Sequence, residues 1–410
     1  MRGVHFSGNA NNGANAGLAY SNSNNTFSNT NTNISSHLCY RSKYSRNLAS
    51  WQKINHFNDV LVETRRFVKK SKAMKRIGNL YENIISLDNL YEADKIARKG
   101  KLRSYGVRIH DRDKHENLLA LHIALKNKTF KTSDYDIFKI YKPKERDIYR
   151  LPYYPDRIVH HAVMNVLEPV WVSIFTADTY SCIKGKGIHS AVRSLQKALY
   201  SDIDGTKYCL KLDIRKFYPT INHDIMKKII AKKIKDKDLL WLLGNIIDSV
   251  PDKEGVPIGN YLSQYFANLY LAYFDHWIKE VKQRKYYWRY ADDIVVLSDN
   301  KADLRLLLVD INEYLNNKLK LEVKDNWQIF PVKSRGIDFV GYVFYHTHTR
   351  LRKSIKQSLA RQVANAKRHP NQEKHDRSIA SYWGWCKHCN SINLTGKLFK
   401  NTEYENKFRR

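Results

Sequence analysis

The sequence predicts an α+β fold in which an antiparallel sheet is flanked by helices, and three patterns support this. A β-hairpin is indicated at residues 288–297, where an aromatic run and a β-branched run enclose two adjacent carboxylates, Asp292 and Asp293. Another strand is indicated at residues 208–214, where apolar and polar side chains alternate. Apolar residues recur at helical spacing between residues 84 and 125. We therefore expect a sheet that presents carboxylates at a turn.

The composition indicates a basic protein that binds a polyanion. With 71 Lys and Arg against 40 Asp and Glu, the 410 residues carry a formal net charge of +31, which suits nucleic acid. An acidic membrane surface is the alternative, but no apolar stretch approaches a transmembrane span. The N-terminus lacks the apolar core of a signal peptide, and the five scattered cysteines argue against a disulfide framework. We expect a cytoplasmic protein of two or three lobes without a membrane partner.

Before the predicted sheet, the chain changes character twice. Residues 1–40 are rich in Asn, Ser, Thr and Gly and contain no acid, which is typical of a polar segment that cannot bury enough apolar surface to fold. Residues 41–110 are basic and acquire helical periodicity, which predicts a basic helical N-terminal extension. Residues 140–152 then alternate basic and apolar side chains, which predicts strands with a basic face for a triphosphate or a template backbone. A solvated edge strand is the alternative.

Asp213 and the Asp292-Asp293 pair are the candidate catalytic residues. Because side chains alternate along a strand, Leu210 and Leu212 should face one side of the sheet, and Lys211 and Asp213 the other. Adjacent like charges repel, so a fold usually avoids them or neutralises them with a cation. One Asp at a strand end together with an Asp-Asp hairpin is the layout for two-metal phosphoryl transfer with two Mg²⁺ ions, for which Mn²⁺ could substitute. A solvated Asp-Asp turn is the alternative.

Two motifs resemble the palm motifs of reverse transcriptases: Leu212-Asp213-Ile214-Arg215-Lys216-Phe217-Tyr218 and Tyr290-Ala291-Asp292-Asp293. The resemblance runs from about Tyr141 to the C-terminus. It implies that Asp213 and Asp292 hold the metal ions and that Asp293 supports them. It also implies that Ile214 contributes its backbone carbonyl. Tyr218 would be the steric gate that blocks a 2′-hydroxyl and so selects deoxynucleotides.

The same resemblance implies a right-hand polymerase, with fingers and an antiparallel-sheet palm at residues 111–345 and a basic helical thumb at residues 346–410. Arg146 in the finger strands would bind the triphosphate. Phe339 and Gly341 would form the primer grip. The implied partners are template RNA, the RNA/cDNA hybrid and dNTPs. Residues 319–324 resemble the next palm motif, and the identity of its lysine is left open.

One further motif resembles a subfamily: Val256-Pro257-Ile258-Gly259-Asn260-Tyr261-Leu262-Ser263-Gln264. Most reverse transcriptases carry Gln at the position of Ile258 and Pro at that of Gln264, whereas this version is similar to the enzymes of diversity-generating retroelements. Ile258, Gly259 and Gln264 would line the nucleotide site. These enzymes copy a template-repeat RNA into cDNA, misincorporate opposite adenine and so diversify a target gene. The subfamily also implies a small basic pentameric accessory protein and a prokaryotic, phage or plasmid gene.

Two alternatives are kept for the activity and one for the N-terminus. A group II intron-like or phage-defence reverse transcriptase would lack the mutagenic role. A basic RNA-binding protein that has lost catalysis is the alternative outside the class, and the intact acids argue against it. Residues 1–40 resemble the variable repeat of the retroelements' lectin-like targets, so we interpret them as a translated template repeat, with a disordered tail as the alternative.

Overall fold

The computed structural model describes residues 75–141, 145–250, 252–369 and 373–407. The predictions for residues 1–40, for most of the basic extension and for the lysines at 142 and 144 lie outside the described residues. The α-helices follow in chain order: α1 (Tyr81–Ile85), α2 (Leu87–Ala97), α3 (Tyr105–His110), α4 (Lys114–Lys126), α5 (Ile158–Val172), α6 (Ile188–Ser201), α7 (His223–Ala231), α8 (Lys237–Ile247), α9 (Tyr261–His276), α10 (Lys301–Tyr314), α11 (Val332–Arg335), α12 (Lys353–Arg368), α13 (Glu373–Cys386), α14 (Ile392–Phe399) and α15 (Tyr404–Lys407).

The strands of the described residues form three sheets. The strands in chain order are β1 (Asp136–Ile140), β2 (Arg146–Arg150), β3 (Thr179–Tyr180), β4 (Tyr208–Asp213), β5 (Tyr286–Tyr290), β6 (Asp293–Ser298), β7 (Gln328–Pro331), β8 (Ile337–Phe339), β9 (Tyr342–Phe344) and β10 (Thr349–Leu351). The central sheet has the order β3-β5-β6-β4-β7, and all its pairs are antiparallel except β3 with β5. Hairpin β1-β2 forms a second sheet, and β10-β9-β8 forms the third.

The central sheet separates two hydrophobic cores, whereas the alternation in β4 predicts one apolar and one polar face. Leu210 and Leu212 are buried in the first core, together with apolar side chains of α5, α9 and α10. Cys209 is buried in the second core, with side chains of α6, β8, β9 and the C-terminal helices. Strand β6 follows the same rule, because Val296 lies in the first core and Val295 in the second. The sheet is therefore covered on both faces.

The helices before residue 110 pack into the first core. Ile84 and Leu90 are fully buried there. The predicted helical run is interrupted at Ser86, whose extended backbone (ψ 142°) separates α1 from α2 and whose side chain caps α2 by accepting from Asn89 N. Tyr153 Oη donates to the carbonyl of Asp94 at 3.0 Å, which joins α2 to the turn before α5. Helices therefore form within residues 81–110, and they share their core with the residues that follow.

Residues 140–152 predict strands, and the structure has β2 within this range and β1 just before it, with partly paired charges. Arg150 forms an ion pair with Asp136 across the β1-β2 hairpin. Lys139 Nζ lies 2.9 Å from Glu145 Oε1. The predicted basic face is therefore a mixed one in the described part of the hairpin, with acids contributed by both strands.

The C-terminal region is helical, as predicted, and it begins with a strand. β10 pairs with β9, so the third sheet extends across the expected boundary between residues 345 and 346. The β8-β9 turn lies against α12 and α13: a Cβ added at Gly341 would approach Trp385 Cζ3 to 2.4 Å and Ile355 Cδ1 to 2.9 Å. This close approach, at a φ of +89°, requires glycine. It fixes the helices that follow against the sheet.

Within the described ranges, none of the helices has both the length and the apolar character needed to cross a membrane.

Candidate active site

A two-residue turn brings Asp292 to the end of the sheet where Asp213 lies. Tyr290 pairs with Asp293 in the β5-β6 hairpin, so Ala291 and Asp292 form its loop. β4 pairs with β6 in the register that sets Asp213 directly opposite Asp293. Ala291 has a φ of +54°, the left-handed value that a two-residue hairpin loop needs and that Gly usually supplies. The strand-end acid and the hairpin acids therefore meet, as the sequence predicts.

Burial and repulsion raise the pKa values of both turn carboxyls. The pKa of Asp292 rises from 3.8 to about 8, chiefly through burial and then through the neighbouring Asp213. The pKa of Asp293 rises to about 6 through burial, although Lys211, with Nζ 3.8 Å from Asp293 Oδ1, opposes the rise. Asp293 Oδ1 is buried and has no hydrogen-bond partner. The site therefore holds more negative charge than its own cations neutralise.

The Ile214 carbonyl points toward the acids, as the resemblance implies. Ile214 forms an isolated antiparallel bridge with Val323, beyond the end of β4. The hydrogen bonds on either side of this bridge use the neighbouring residues of each segment and are both 2.8 Å long. In such a pair, the bridged residue turns its own N–H and C=O away from the partner segment. The carbonyl of Ile214 thus faces the β6 side of β4, where the hairpin acids lie.

The oxygen donors of this site fit a divalent metal ion. Asp213 and Asp292 supply carboxylate oxygens and Ile214 a carbonyl, which are the donors that hard cations such as Mg²⁺ prefer. No set of three or more His, Cys, Asp or Glu side chains within the described residues is grouped so as to hold a metal ion. Mg²⁺ is commonly bound through one or two carboxylates together with substrate phosphates. The residues present therefore fit ions that are held jointly by protein and nucleotide.

Two lysines flank the carboxylates without having been assigned from the sequence. Lys324 Nζ lies 3.8 Å from Asp213 Oδ2, and Lys324 N donates to the carbonyl of Asp213 at 2.8 Å. Of the two lysines at residues 319–324, this is the one beside the acids. Lys211 lies near Asp293 and also donates to the carbonyl of Asp338 in β8. The alternation along β4 already set Lys211 on the face of Asp213, and that was the available signal.

Tyr218, which the resemblance makes the steric gate, lies five residues after Asp213 in the turn that follows β4. Its ring is half-buried against the first core. Burial raises the pKa of Tyr218 well above its usual value, and the charges of Cys182 and Asp292 add to the effect. The carbonyl of Tyr218 accepts a hydrogen bond from Val256 N at 3.0 Å. This bond brings the Val256–Gln264 motif to the same place.

Ile258 and Gly259 lie between the β1-β2 hairpin and Tyr218. Tyr149 N, in β2, donates to the carbonyl of Ile258 at 2.9 Å. Gly259 has a φ of +119°, and a Cβ there would lie 3.0 Å from Tyr149 O and 3.2 Å from Ile148 Cγ2. Glycine is required by both the conformation and the close approach of β2. This segment therefore joins the fingers to the palm at the acids.

The remaining predicted nucleotide-site residues lie on the two elements that this segment joins. Gln264 is half-buried in the first turn of α9. That helix begins at Tyr261, whose ring stacks on His161 with centroids 4.6 Å apart. Arg146 is half-buried at the start of β2, three residues before Tyr149. Arg146 and Gln264 are thus placed on either side of residues 256–259.

The predicted primer grip is a tight turn whose side chains are buried. Phe339 is fully buried in the second core, and Gly341 is covered by the C-terminal helices. The carbonyl of Gly341 accepts from Arg352 N at 2.9 Å. The side chain of Asp338, next to Phe339, is partly exposed, and Arg352 Nη2 pairs with its carboxylate. A primer contact at this hairpin would therefore involve backbone atoms and the polar residues beside Phe339.

Comparison with known families agrees with this geometry. Residues 140–344 match the family model "Reverse transcriptase (RNA-dependent DNA polymerase)", which is half of the 410-residue chain. The matched range contains the three carboxylates, Tyr218 and the 256–264 segment. The chain belongs to the reverse transcriptase family, and its domain is that of an RNA-directed DNA polymerase. Such domains use divalent metal ions, in agreement with the donor set.

The individual relatives have low sequence identity to this chain and align with different fractions of it. Protein YkfC of Escherichia coli K12 is 24% identical over 257 residues, which is 52% of this chain and 67% of that protein. The group II intron-encoded protein LtrA of Lactococcus lactis subsp. cremoris is 19% identical over 262 residues, 47% of this chain and 43% of LtrA. Apo telomerase from Candida tropicalis aligns with a TM-score of 0.43 at 14% identity, covering 68% of this chain and 61% of the telomerase. The chain spans about two thirds of YkfC and less than half of LtrA.

Proposed function

We propose that this chain copies a template RNA into DNA and misincorporates opposite adenine, as the polymerase of a diversity-generating retroelement. The observation that carries the polymerase step is the crowding of Asp213 and Asp292, two carboxylates whose charge requires a cation. The mutagenic part is supported by the Ile258 version of the nucleotide-site motif. The substrates of the proposal are template RNA, the RNA/cDNA hybrid and dNTPs.

Each side chain of the site has a separate role in nucleotide addition. Mg²⁺, or Mn²⁺ in its place, would be held by Asp213, Asp292 and the carbonyl of Ile214, and when bound it activates the primer 3′-hydroxyl and neutralises phosphate charge. Asp293 stays beside Lys211 and adds negative charge that favours cation binding. Arg146 approaches the triphosphate from β2 with its guanidinium fork. No covalent intermediate or general base from the protein is required.

Tyr218 excludes ribonucleotides in this proposal. In this role its ring would lie against the sugar of the incoming nucleotide, where a 2′-hydroxyl would collide with it. Tyr218→Ala should raise incorporation of ribonucleotides relative to deoxynucleotides, because the ring no longer contacts the 2′ carbon. Single-nucleotide extension with matched dNTP and rNTP pairs measures this ratio, and Phe217→Leu, a change in the buried neighbour of Tyr218, is the control. An unchanged ratio in an active Tyr218→Ala enzyme would make Tyr218 a packing residue only.

Ile258 gives a physical reason for inaccurate copying. Gln at this position offers a donor and an acceptor near the nascent base pair, whereas Ile offers neither. Losing such a contact narrows the free-energy gap between right and wrong nucleotides, and each ~1.4 kcal/mol of gap corresponds to about tenfold in discrimination. The Ile258 carbonyl is fixed by Tyr149, so a substitution changes the side chain without releasing the segment.

The experiment is deep sequencing of cDNA made on one adenine-containing RNA. The parent should show errors concentrated opposite adenine, and Ile258→Gln should lower those errors more than errors at other bases. Ile258→Val keeps an apolar β-branched side chain and is the matched control, with the error pattern of the parent expected. An adenine error rate equal in the parent and in active Ile258→Gln would reject this role of the residue.

A group II intron-like reverse transcriptase without mutagenic activity is the second candidate. The similarity to LtrA favours it. Accurate cDNA from the parent enzyme, with errors spread evenly over the four template bases, would select this candidate. The first proposal, a retroelement polymerase, also includes a small basic pentameric accessory protein as partner. Co-purification of such a protein with the chain, measured with and without template RNA, tests the prediction of this partner.

A further inference from the structure

Arg289 is a fully buried arginine directly beneath the catalytic turn, three residues before Asp292. Its guanidinium uses all five of its N–H donors. Nε donates to Asp275 Oδ1 at 2.7 Å, and Nη2 donates to Asp275 Oδ2 at 2.7 Å and to Asn268 O at 3.4 Å. Nη1 donates to Asn268 Oδ1 at 3.1 Å and to the carbonyl of Ala291 at 2.9 Å. The side chain therefore connects the turn to two residues of α9.

The counter-charge of Arg289 is equally well satisfied. Asp275 is fully buried near the end of α9 and pairs with the guanidinium through both oxygens. Its carboxylate also accepts from Thr179 Oγ1 at 2.7 Å and from Tyr287 Oη at 2.5 Å. Replacing a buried ion pair by apolar residues is often neutral or stabilising, so stability alone does not account for this one. What the arginine adds is a rigid planar fork with fixed bond directions.

One bond of that fork holds the strained part of the turn. Ala291 has a φ of +54°, and for a residue with a Cβ this conformation costs about 1–2 kcal/mol. Glycine, the usual residue at such a position, is absent here. The Nη1 bond to the Ala291 carbonyl fixes the peptide between Ala291 and Asp292. The direction in which Asp292 leaves the turn is therefore set by a group anchored on α9.

We propose that Arg289 is the positioning residue that holds Asp292 in register with the nucleotide site. The same guanidinium contacts Asn268, one turn beyond Gln264 on α9, and Asn268 Nδ2 donates to the carbonyl of Ser181 at 2.9 Å. The guanidinium of Arg289 thus bonds both to the turn and to α9, the helix that carries Gln264. The inference rests on the polymerase activity and is independent of the mutagenic role.

The test compares Arg289→Lys with variants that separate positioning from stability. Lysine keeps the charge but has three donors on a flexible stem, so the bond to Ala291 is lost or loosened. We expect kcat for DNA synthesis to fall by about 10- to 100-fold, in line with a small misplacement of a catalytic group, with KM for dNTP little changed. The Mg²⁺ concentration for half-maximal rate should rise. Thermal unfolding measured on the same samples gives the stability change.

Two control variants change comparable bonds without touching the turn. Thr179→Val removes a hydrogen bond to Asp275 in the same cluster and should lower Tm while kcat stays at the parent value. Arg284→Lys alters another bidentate pair, with Asp303, before the start of β5, and should leave kcat unchanged. Equal losses of kcat in Thr179→Val and Arg289→Lys would overturn the proposal, because the network would then act through stability.

Ala291→Gly supplies a rescue that a structural role does not predict. Glycine adopts the left-handed conformation without the Cβ penalty, so the turn depends less on the guanidinium. Arg289→Lys/Ala291→Gly should therefore recover kcat relative to Arg289→Lys, although glycine does nothing for the ion pair. Absence of recovery, or a parent-like kcat in Arg289→Lys, would reject the positioning role.

A further variant covers the case in which Arg289→Lys does not fold. Arg289→Lys/Asp275→Glu pairs the shorter cation with a longer carboxylate and restores the buried ion pair without the fork. We expect Tm near that of the parent with kcat still reduced. Parent-like kcat in this variant would overturn the proposal. All rates come from one RNA template and do not depend on error frequency, so a failure of the mutagenic proposal would leave these outcomes unchanged.

Discussion

Asp94 and the acids at the catalytic turn have opposite electrostatics. Asp94, in α2, is fully buried, and its carboxylate accepts hydrogen bonds from Arg98, Lys114 and Tyr153. Burial alone would raise the pKa of Asp94, but these partners outweigh it and hold the pKa below 3.8. At the catalytic turn, burial and Asp213 raise the pKa of Asp292 to about 8.

The difference distinguishes an acid that serves the fold from an acid that serves the chemistry. The cations around Asp94 are part of the chain, so its charge is neutralised as soon as the chain folds. The cations at the turn are too few, and the missing positive charge has to arrive with the metal ions. Perturbed carboxyl pKa values cluster at functional sites for this reason. The pattern agrees with the assignment of the turn from its motif.

The largest expected effect is on activity at the turn. Asp213→Asn or Asp292→Asn keeps the side-chain shape but removes a charge that metal binding needs. DNA synthesis in a primer-extension assay should fall to nearly nothing while RNA binding is retained. Asp299→Asn, at the far end of β6, is the control and should extend normally. Substantial extension in Mg²⁺ by either active-site variant would contradict the assignment.

The corresponding change at Asp94 should act on stability. Asp94→Asn leaves the charge of Arg98 without its buried partner, and breaking such a pair typically costs about 3–5 kcal/mol. The low end is expected here, because Lys114 is partly exposed and can turn to solvent. Denaturant unfolding measures the loss, and the rate per folded molecule should remain close to that of the parent. A stability equal to the parent's would show that the pairing around Asp94 contributes little.

The smallest expected effect is the pH dependence of metal-free stability. Folded Asp292 binds its proton more tightly than the unfolded chain does, since its pKa rises from 3.8 to about 8. The free energy of unfolding should therefore decrease as pH rises through this range. Asp292→Asn lacks that titration, so without metal it should melt roughly 2 °C or more above the parent at pH 8, with a smaller gap at pH 5.

Added Mg²⁺ extends this comparison. It should raise the Tm of the parent at pH 8 because the ions bind the folded carboxylates, and it should raise the Tm of Asp292→Asn much less. Differential scanning calorimetry with and without Mg²⁺ measures both effects. A Tm gap that is the same at pH 5 and pH 8 would mean that Asp292 is not crowded in the metal-free protein.

The order of elements around the site could be predicted from local patterns. Alternation in residues 208–213 assigns Leu212 to the core and Asp213 to the polar face, and the runs on either side of Asp292 predict a hairpin. The family follows from the motifs at these positions. Such predictions succeed because a strand has a period of two and a tight turn needs few residues.

Other features depend on residues that are distant in the chain. The roles of Lys211 and Lys324 emerge only when β4, β6 and the segment after α10 pair, since their acidic partners lie 82 and 111 residues away. The burial of Phe339 also depends on the tertiary structure, because an apolar residue in a motif has the same local sequence whether it faces a primer or a core. Its environment is set by helices that follow in sequence.

The sequence by itself determined the strands, the hairpin turn, the acids and the family, because each is encoded within a few consecutive residues. The tertiary structure decided which charges are neutralised. Asp94 is paired with Arg98 of its own helix, but Lys114 and Tyr153 reach it from other elements. The pairing of β4 with β6 sets Asp292 against Asp213. Electrostatic energy depends on distance in space and on burial, and neither is a property of a local stretch of sequence.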